Sequence, residues 1–147
     1  MSRADTLRTL AESIQQDLLT YPKLLAQLQK QQQLMLERDI DSLSELNQRL
    51  EQVYASLQAR AAQRQQWLNE LGFSSNADGF YDLLARLPSG SSAKLKQSYQ
   101  RLKQLMHACQ RQNDRNGQLL VKQQQLLNRL LNPHQQQQQL QDYGSQR

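Results

Sequence analysis

The chain has 147 residues, the size of one domain, with 37% hydrophobic and only 5% aromatic residues. Gln occurs 29 times and Leu 28 times; both favour helices, and the scarcity of β-branched and aromatic residues argues against a β-sandwich, a β-barrel or a doubly wound α/β domain. The net charge of +5 is held unevenly: residues 1–90 carry nine Lys and Arg against eleven Asp and Glu, residues 91–147 nine against two, so the second half suits an acidic partner or simply presents a solvated basic face.

Apolar positions recur at spacings of three and four from the start. Leu7, Ile14, Tyr21, Leu28 and Met35 repeat every seven residues, with Leu10, Leu18, Leu24 and Leu25 beside them. This predicts a helix over residues 3–37, kinked at Pro22 but packed on both sides of it. The pattern resets at Arg38-Asp39-Ile40-Asp41-Ser42. Ser42-Leu43-Ser44-Glu45 matches a capping box, with Asp39 and Asp41 as rival N-caps. A second helix then carries Leu43, Leu46, Leu50, Val53 and Leu57, continues through Ala61, Trp67, Leu68 and Leu71, and meets Gly72 as a C′ residue. With no long loop between them, the two helices should form an antiparallel hairpin.

Residues 72–92 are punctuated by Gly, Ser, Asn and Pro. Within them Phe80–Leu87 can form a short helix, whose Phe80, Leu83, Leu84 and Leu87 would plug the hairpin's end; a hinge or lid is the functional alternative. The last helix should begin at Ser91 or Ser92 and end near Asn132, before Pro133. Its expected seam is Leu95, Tyr99, Leu102, Met106, Cys109, Asn113, Asn116, Leu120, Gln123, Leu127 and Leu130. The fold class is therefore all-α: an antiparallel bundle of three long helices and one short one over residues 1–132. Residues 133–147, with five consecutive Gln, form a tail that cannot build a core.

Chemistry is sparse. There is no glycine-rich phosphate loop, no nucleophile elbow and no clustered His, Asp and Glu, so an enzyme is not expected. His107 and Cys109 point about 200° apart on a helix and cannot share a ligand. Cys109, the single cysteine, reads as a small buried hydrophobe, and neither cofactor nor metal is expected. The longest apolar run is three residues, such as Leu34-Met35-Leu36, against about 20 for a membrane span. No secretory signal is expected at the N-terminus, and the reading is cytoplasmic with no stable membrane insertion.

Two features of the last helix ask for a function. Asn113 and Asn116 sit in the expected seam, followed by Gly117. They form either a register-fixing polar pair with a close backbone approach at Gly117, or a weak point that receives a partner. Beyond Gly117 the apolar face widens: Leu119, Leu120, Leu126, Leu127, Leu130 and Leu131 cover an arc of roughly 140°. That is more leucine than a bundle seam uses. Either the short helix or the N-terminal arm covers it, or a protein partner does.

Three blocks resemble the FlgN family of flagellar export chaperones. They are Leu18-Leu19-x-Tyr21-x-x-Leu24-Leu25-x-x-Leu28 leading to Arg38-Asp39-x-x-x-Leu43-x-x-Leu46, the Leu71-Gly72-Phe73 helix ending, and Gln112-Asn113-x-x-Asn116-Gly117-x-Leu119-Leu120. Tyr143-Gly144 also resembles that family's C-terminal tail. The resemblance implies a cytosolic chaperone that holds a C-terminal helical segment of the hook–filament junction proteins FlgK and FlgL. It would prevent their premature assembly and deliver them to the export-gate protein FlhA, with Tyr143 as the docking residue. Asn113, Asn116, Gly117 and the six leucines from Leu119 to Leu131 are the expected partner surface, which could also pair two copies when client is absent. A helical adaptor or scaffold unrelated to export is the main alternative. A nucleic-acid binder ranks lower, because Tyr99 alone interleaves with the basic residues.

Overall fold

The computed structural model describes residues 2–131 and folds them into four helices: α1 (Arg3–Glu37), α2 (Ile40–Glu70), α3 (Ala77–Ala85) and α4 (Ser89–Leu131). No strand occurs among the described residues. α1 opens on Ser2, whose side chain accepts from Asp5 N at 3.1 Å. It continues across Pro22, with buried Leu10 and Ile14 before the proline and Leu24 and Leu28 after it.

The turn into α2 is shorter than the capping box requires. Arg38 adopts the left-handed conformation at φ 56°. Its N–H donates to Met35 O at 3.2 Å, and that of Asp39 to Leu34 O at 3.1 Å, closing a Schellman motif. Asp39 then caps α2 at once, its Oδ1 accepting from Ser42 N at 3.2 Å. Ser42 to Glu45 therefore lie inside the first turns of α2, and Asp39 takes the role from Ser42 and Asp41. The far end of α2 repeats the device with Gly72 at φ 89°. Gly72 N donates to Asn69 O at 3.0 Å and Phe73 N to Leu68 O at 2.9 Å. Arg3 Nη2 adds a bond to Leu71 O at 3.1 Å, placing a cation at the negative end of the helix.

α3 starts three residues before the expected Phe80, because Asn76 caps it by accepting from Gly79 N at 2.9 Å. Gly79 is not a turn residue. It lies inside α3, where a Cβ would overlap the Ser74 carbonyl. Phe80, Leu83 and Leu84 plug the end of the hairpin, as the apolar face predicts, packing with Leu10, Ile14, Leu68, Leu71, Leu95 and Leu102. α4 starts at Ser89, ahead of Ser91 and Ser92. Its first turn is closed by Ser92 N donating to Pro88 O at 2.9 Å, and Ser92 Oγ reaches back to Leu84 O at 2.8 Å.

α2 runs antiparallel to α1, as Arg64–Ser13, Arg60–Thr20 and Gln31–Asn47 bonds establish. α4 runs parallel to α1, in a register set by Gln15–Ser98, Asn116–Leu28 and Gln123–Met35. Both therefore lie along α1, and they hardly touch one another. The core has two apolar clusters. One surrounds α3, and the other joins Leu24, Leu28 and Leu34 to Leu46, Leu50, Leu57 and Cys109. Between them Asp17, fully buried, accepts from Arg60 Nε and from Arg64 Nη1, the latter at 2.7 Å. Two guanidiniums on one carboxylate satisfy its oxygens and fix the register of α1 on α2.

Candidate functional site on the C-terminal half of α4

Along α4 the buried positions are Leu95, Leu102, Leu105, Cys109, Gln112 and Asn116. The expected seam holds at Leu95, Leu102, Cys109 and Asn116 and departs at two positions. Met106 and Asn113 face solvent, while Leu105 and Gln112 turn inward. The cause lies on α1, where glutamines at 31 and 32 and the Leu28 carbonyl offer polar partners. Asn116 Nδ2 donates to Leu28 O at 2.7 Å and to Gln31 Oε1 at 2.9 Å, and its Oδ1 accepts from Gln112 Nε2 at 3.0 Å. Gln112 Nε2 also donates to Gln32 Oε1 at 2.8 Å. The register-fixing pair is thus Gln112 with Asn116, in place of Asn113 with Asn116. A buried amide with all these bonds made costs little, and it resists any sliding of α4 on α1.

Cys109 is buried in the second cluster, its thiol donating to the Tyr21 carbonyl at 3.5 Å. Burial pushes its pKa up, as befits a packing residue and not a nucleophile. Gly117 has open space where a Cβ would stand, so the expected close backbone approach is absent there. Tyr99 is already engaged: its ring lies 4.2 Å from that of Phe80, with the Lys103 ammonium 5.3 Å above it. It is not a free platform for bases.

Past Asn116 the character of the helix changes. Gln123 Nε2 donates to Met35 O at 2.8 Å, the last bond in the register, and α1 ends at Glu37. On that register the end of α1 is level with residue 125, so residues 126–131 of α4 run on for about 9 Å beyond it. Leu119 is half-buried, but Leu120, Val121 and Leu126 are about half exposed, Leu127 is 53% exposed, Leu130 69% and Leu131 67%. Leu36 and Ile40, at the tip of the hairpin, are exposed as well. Neither expected cover reaches this face. α3 packs at the opposite end, and α1, still level with Leu119 and Leu120, stops short of residues 126–131. Of the sequence-predicted partner residues, then, Asn116 is enclosed, Asn113 and Gly117 are exposed, and the leucines form a largely open strip. Tyr143 lies outside the described residues.

The family model for FlgN protein matches residues 1–146. The chain belongs to the FlgN family. No curated protein and no solved structure matches it. FlgN membership assigns a flagellar export chaperone role in flagellum biogenesis, with flagellar hook-associated proteins as what is bound. It agrees with an all-helical chain in which no described helix is long and apolar enough to cross a membrane. The Gln112–Leu120 block that carries the resemblance spans the junction between the clasped and the open part of α4.

Proposed function

We propose that this chaperone works in the cytoplasm, holding the C-terminal helical segment of FlgK or FlgL on the leucine strip of α4 and passing the loaded complex to FlhA. The observation that carries this reading is the run of uncovered leucines from Leu120 to Leu131 on a helix whose preceding half is clasped to α1. An amphipathic client helix laid on that strip buries leucine against leucine, as in helix-in-groove recognition. Lys122 and Arg129 flank the leucines and would steer an acidic client segment during encounter. Without client, the strip is free to pair with that of a second copy. Residues 133–147, with Tyr143 as their lone aromatic, would then engage FlhA while the client stays on α4, since a Tyr ring buries much apolar area at small entropic cost.

Hydrogen exchange with and without the C-terminal segment of FlgK tests the location. Added protection concentrated in residues 117–131 is the expected result. Protection confined to α2 or α3 would contradict it. For the tail, Tyr143→Ala should weaken binding of the loaded complex to the FlhA cytosolic domain and leave FlgK affinity unchanged. Loss of FlgK binding in that variant would contradict the division of labour.

A further inference from the structure

α2 and α4 lie side by side on α1 without closing on each other, and the space between them is an open groove. Two adjoining cavities of about 380 and 420 Å³ share Ala61, Met106 and Gln110 in their walls. The groove runs from Tyr54 to Leu68 along α2 and from Tyr99 to Asn113 along α4, about 21 Å at 1.5 Å per residue. That is the length of four helical turns. Its floor is the buried apolar face of α1, from Leu10 to Leu28. Three helices with one such gap make a four-helix bundle lacking its fourth member.

Charge says which helix would fit. Among the described residues no carboxylate lines either cavity. The end near α3 carries Arg64, Lys103 and His107. Asp17 answers Arg60 and Arg64 together, so one guanidinium charge is in surplus there. Lys103 rests over the faces of Tyr81 and Tyr99 at 5.7 and 5.3 Å, held in place by ring contacts that leave its charge uncancelled. The exposed helical strip a second copy could offer bears Lys122 and Arg129, so like charge would meet like charge.

We infer that the α2–α4 groove is a second docking site, separate from the leucine strip, for an acidic amphipathic helix of a partner protein. The partner's apolar stripe replaces the missing fourth helix, and its carboxylates lie beside Lys103 and Arg64. The chaperone could then hold two helices at once, one in the groove and one on the strip.

The test uses the full chain and a designed fluorescent peptide of about four turns, with leucines at heptad spacing and two glutamates in the turn facing Lys103. The same peptide with lysines in place of the glutamates is the control. The glutamate peptide should bind at least about fivefold more tightly than the control, and Lys103→Glu should reverse that order. Ala61→Trp, which fills the space shared by both cavities, should abolish binding with the melting curve unchanged. Leu127→Asp should leave peptide affinity as it was, which separates this site from the proposed client strip. Equal binding of the two peptides overturns the acidic assignment. Loss of binding in Leu127→Asp places the peptide on the strip and overturns the site. A dimer in sedimentation that Ala61→Trp dissolves gives the groove to a second copy and overturns the proposal as well.

Discussion

The two halves of α4 follow the same leucine-rich heptad logic and end in opposite situations. From Leu95 to Asn116 every inward position has a neighbour: Leu95 and Leu102 pack with α1 and α3, Cys109 joins the second cluster, and Gln112 and Asn116 bond to α1. From Leu120 to Leu131 the side chains are as apolar but stand in solvent. For Leu126 to Leu131 the difference is length, whereas Leu120 and Val121 are still level with α1 and turn away from it. α4 has 43 residues against 35 for α1, and its register on α1 carries the surplus past the end of the hairpin. A stripe of leucines therefore reports that something is buried, and the lengths of its neighbours decide whether the cover lies within the chain or in a partner. The polar clasp at Gln112–Asn116 separates the two regimes, holding the stem of α4 rigid while the strip beyond stays available.

Changes in the covered region should cost stability, and the largest cost is expected at Asp17. Asp17→Ala leaves Arg60 and Arg64 facing each other without their carboxylate, and denaturant titration should show a loss of about 3 kcal/mol. A loss below about 1 kcal/mol would mean that the layer is solvated. Gly79→Ala comes next. A methyl group there meets the Ser74 carbonyl, and the melting temperature should fall by an amount equivalent to about 2 kcal/mol. Asn116→Ala strips the Leu28 carbonyl and Gln31 of their donor and should cost about 1–2 kcal/mol in the same assay. Gly117→Ala is the smallest change and has the opposite sign. The site is helical with open space for a Cβ, so stability should rise by about 1 kcal/mol. If the same variant also binds FlgK less well, Gly117 is the weak point that lets α4 bend onto its client; unchanged affinity assigns it no such role.

Much of this architecture was legible in the sequence, because long helices leave a strong period. The limits of α1 and the Gly72 helix end came from that period and from cap chemistry, as did the plugging face of α3. What period alone misplaced was two positions of the α4 seam. A seam of alternating threes and fours can step from Leu102 to Leu105 or to Met106, and from Cys109 to Gln112 or to Asn113; only the packing and polar partners on α1 select Leu105 and Gln112 beside the expected Cys109 and Asn116. Asp17 escapes the apolar pattern for a related reason. It lies three residues after Ile14 and seven after Leu10, on the buried stripe, but a carboxylate there makes sense only once Arg60 and Arg64 arrive from α2. The α2–α4 groove was invisible because it depends on how far apart two helices lie on α1, which no residue pattern encodes. The leucine strip was legible as excess width; the exposure of Leu126 to Leu131 depends on where α1 ends.

The most direct test of the central claim compares Leu127→Asp with the unchanged chain in two measurements on the same sample, thermal unfolding and calorimetric titration with the C-terminal segment of FlgK. Leu127 is 53% exposed and belongs to neither core cluster. The charge should therefore shift the melting temperature by no more than about 2 °C, while the desolvation it imposes on the complex weakens FlgK binding by about a hundredfold or more. A folded variant with unaltered affinity would contradict a client strip on α4, and a variant that unfolds would show that the strip belongs to the core of the free chaperone.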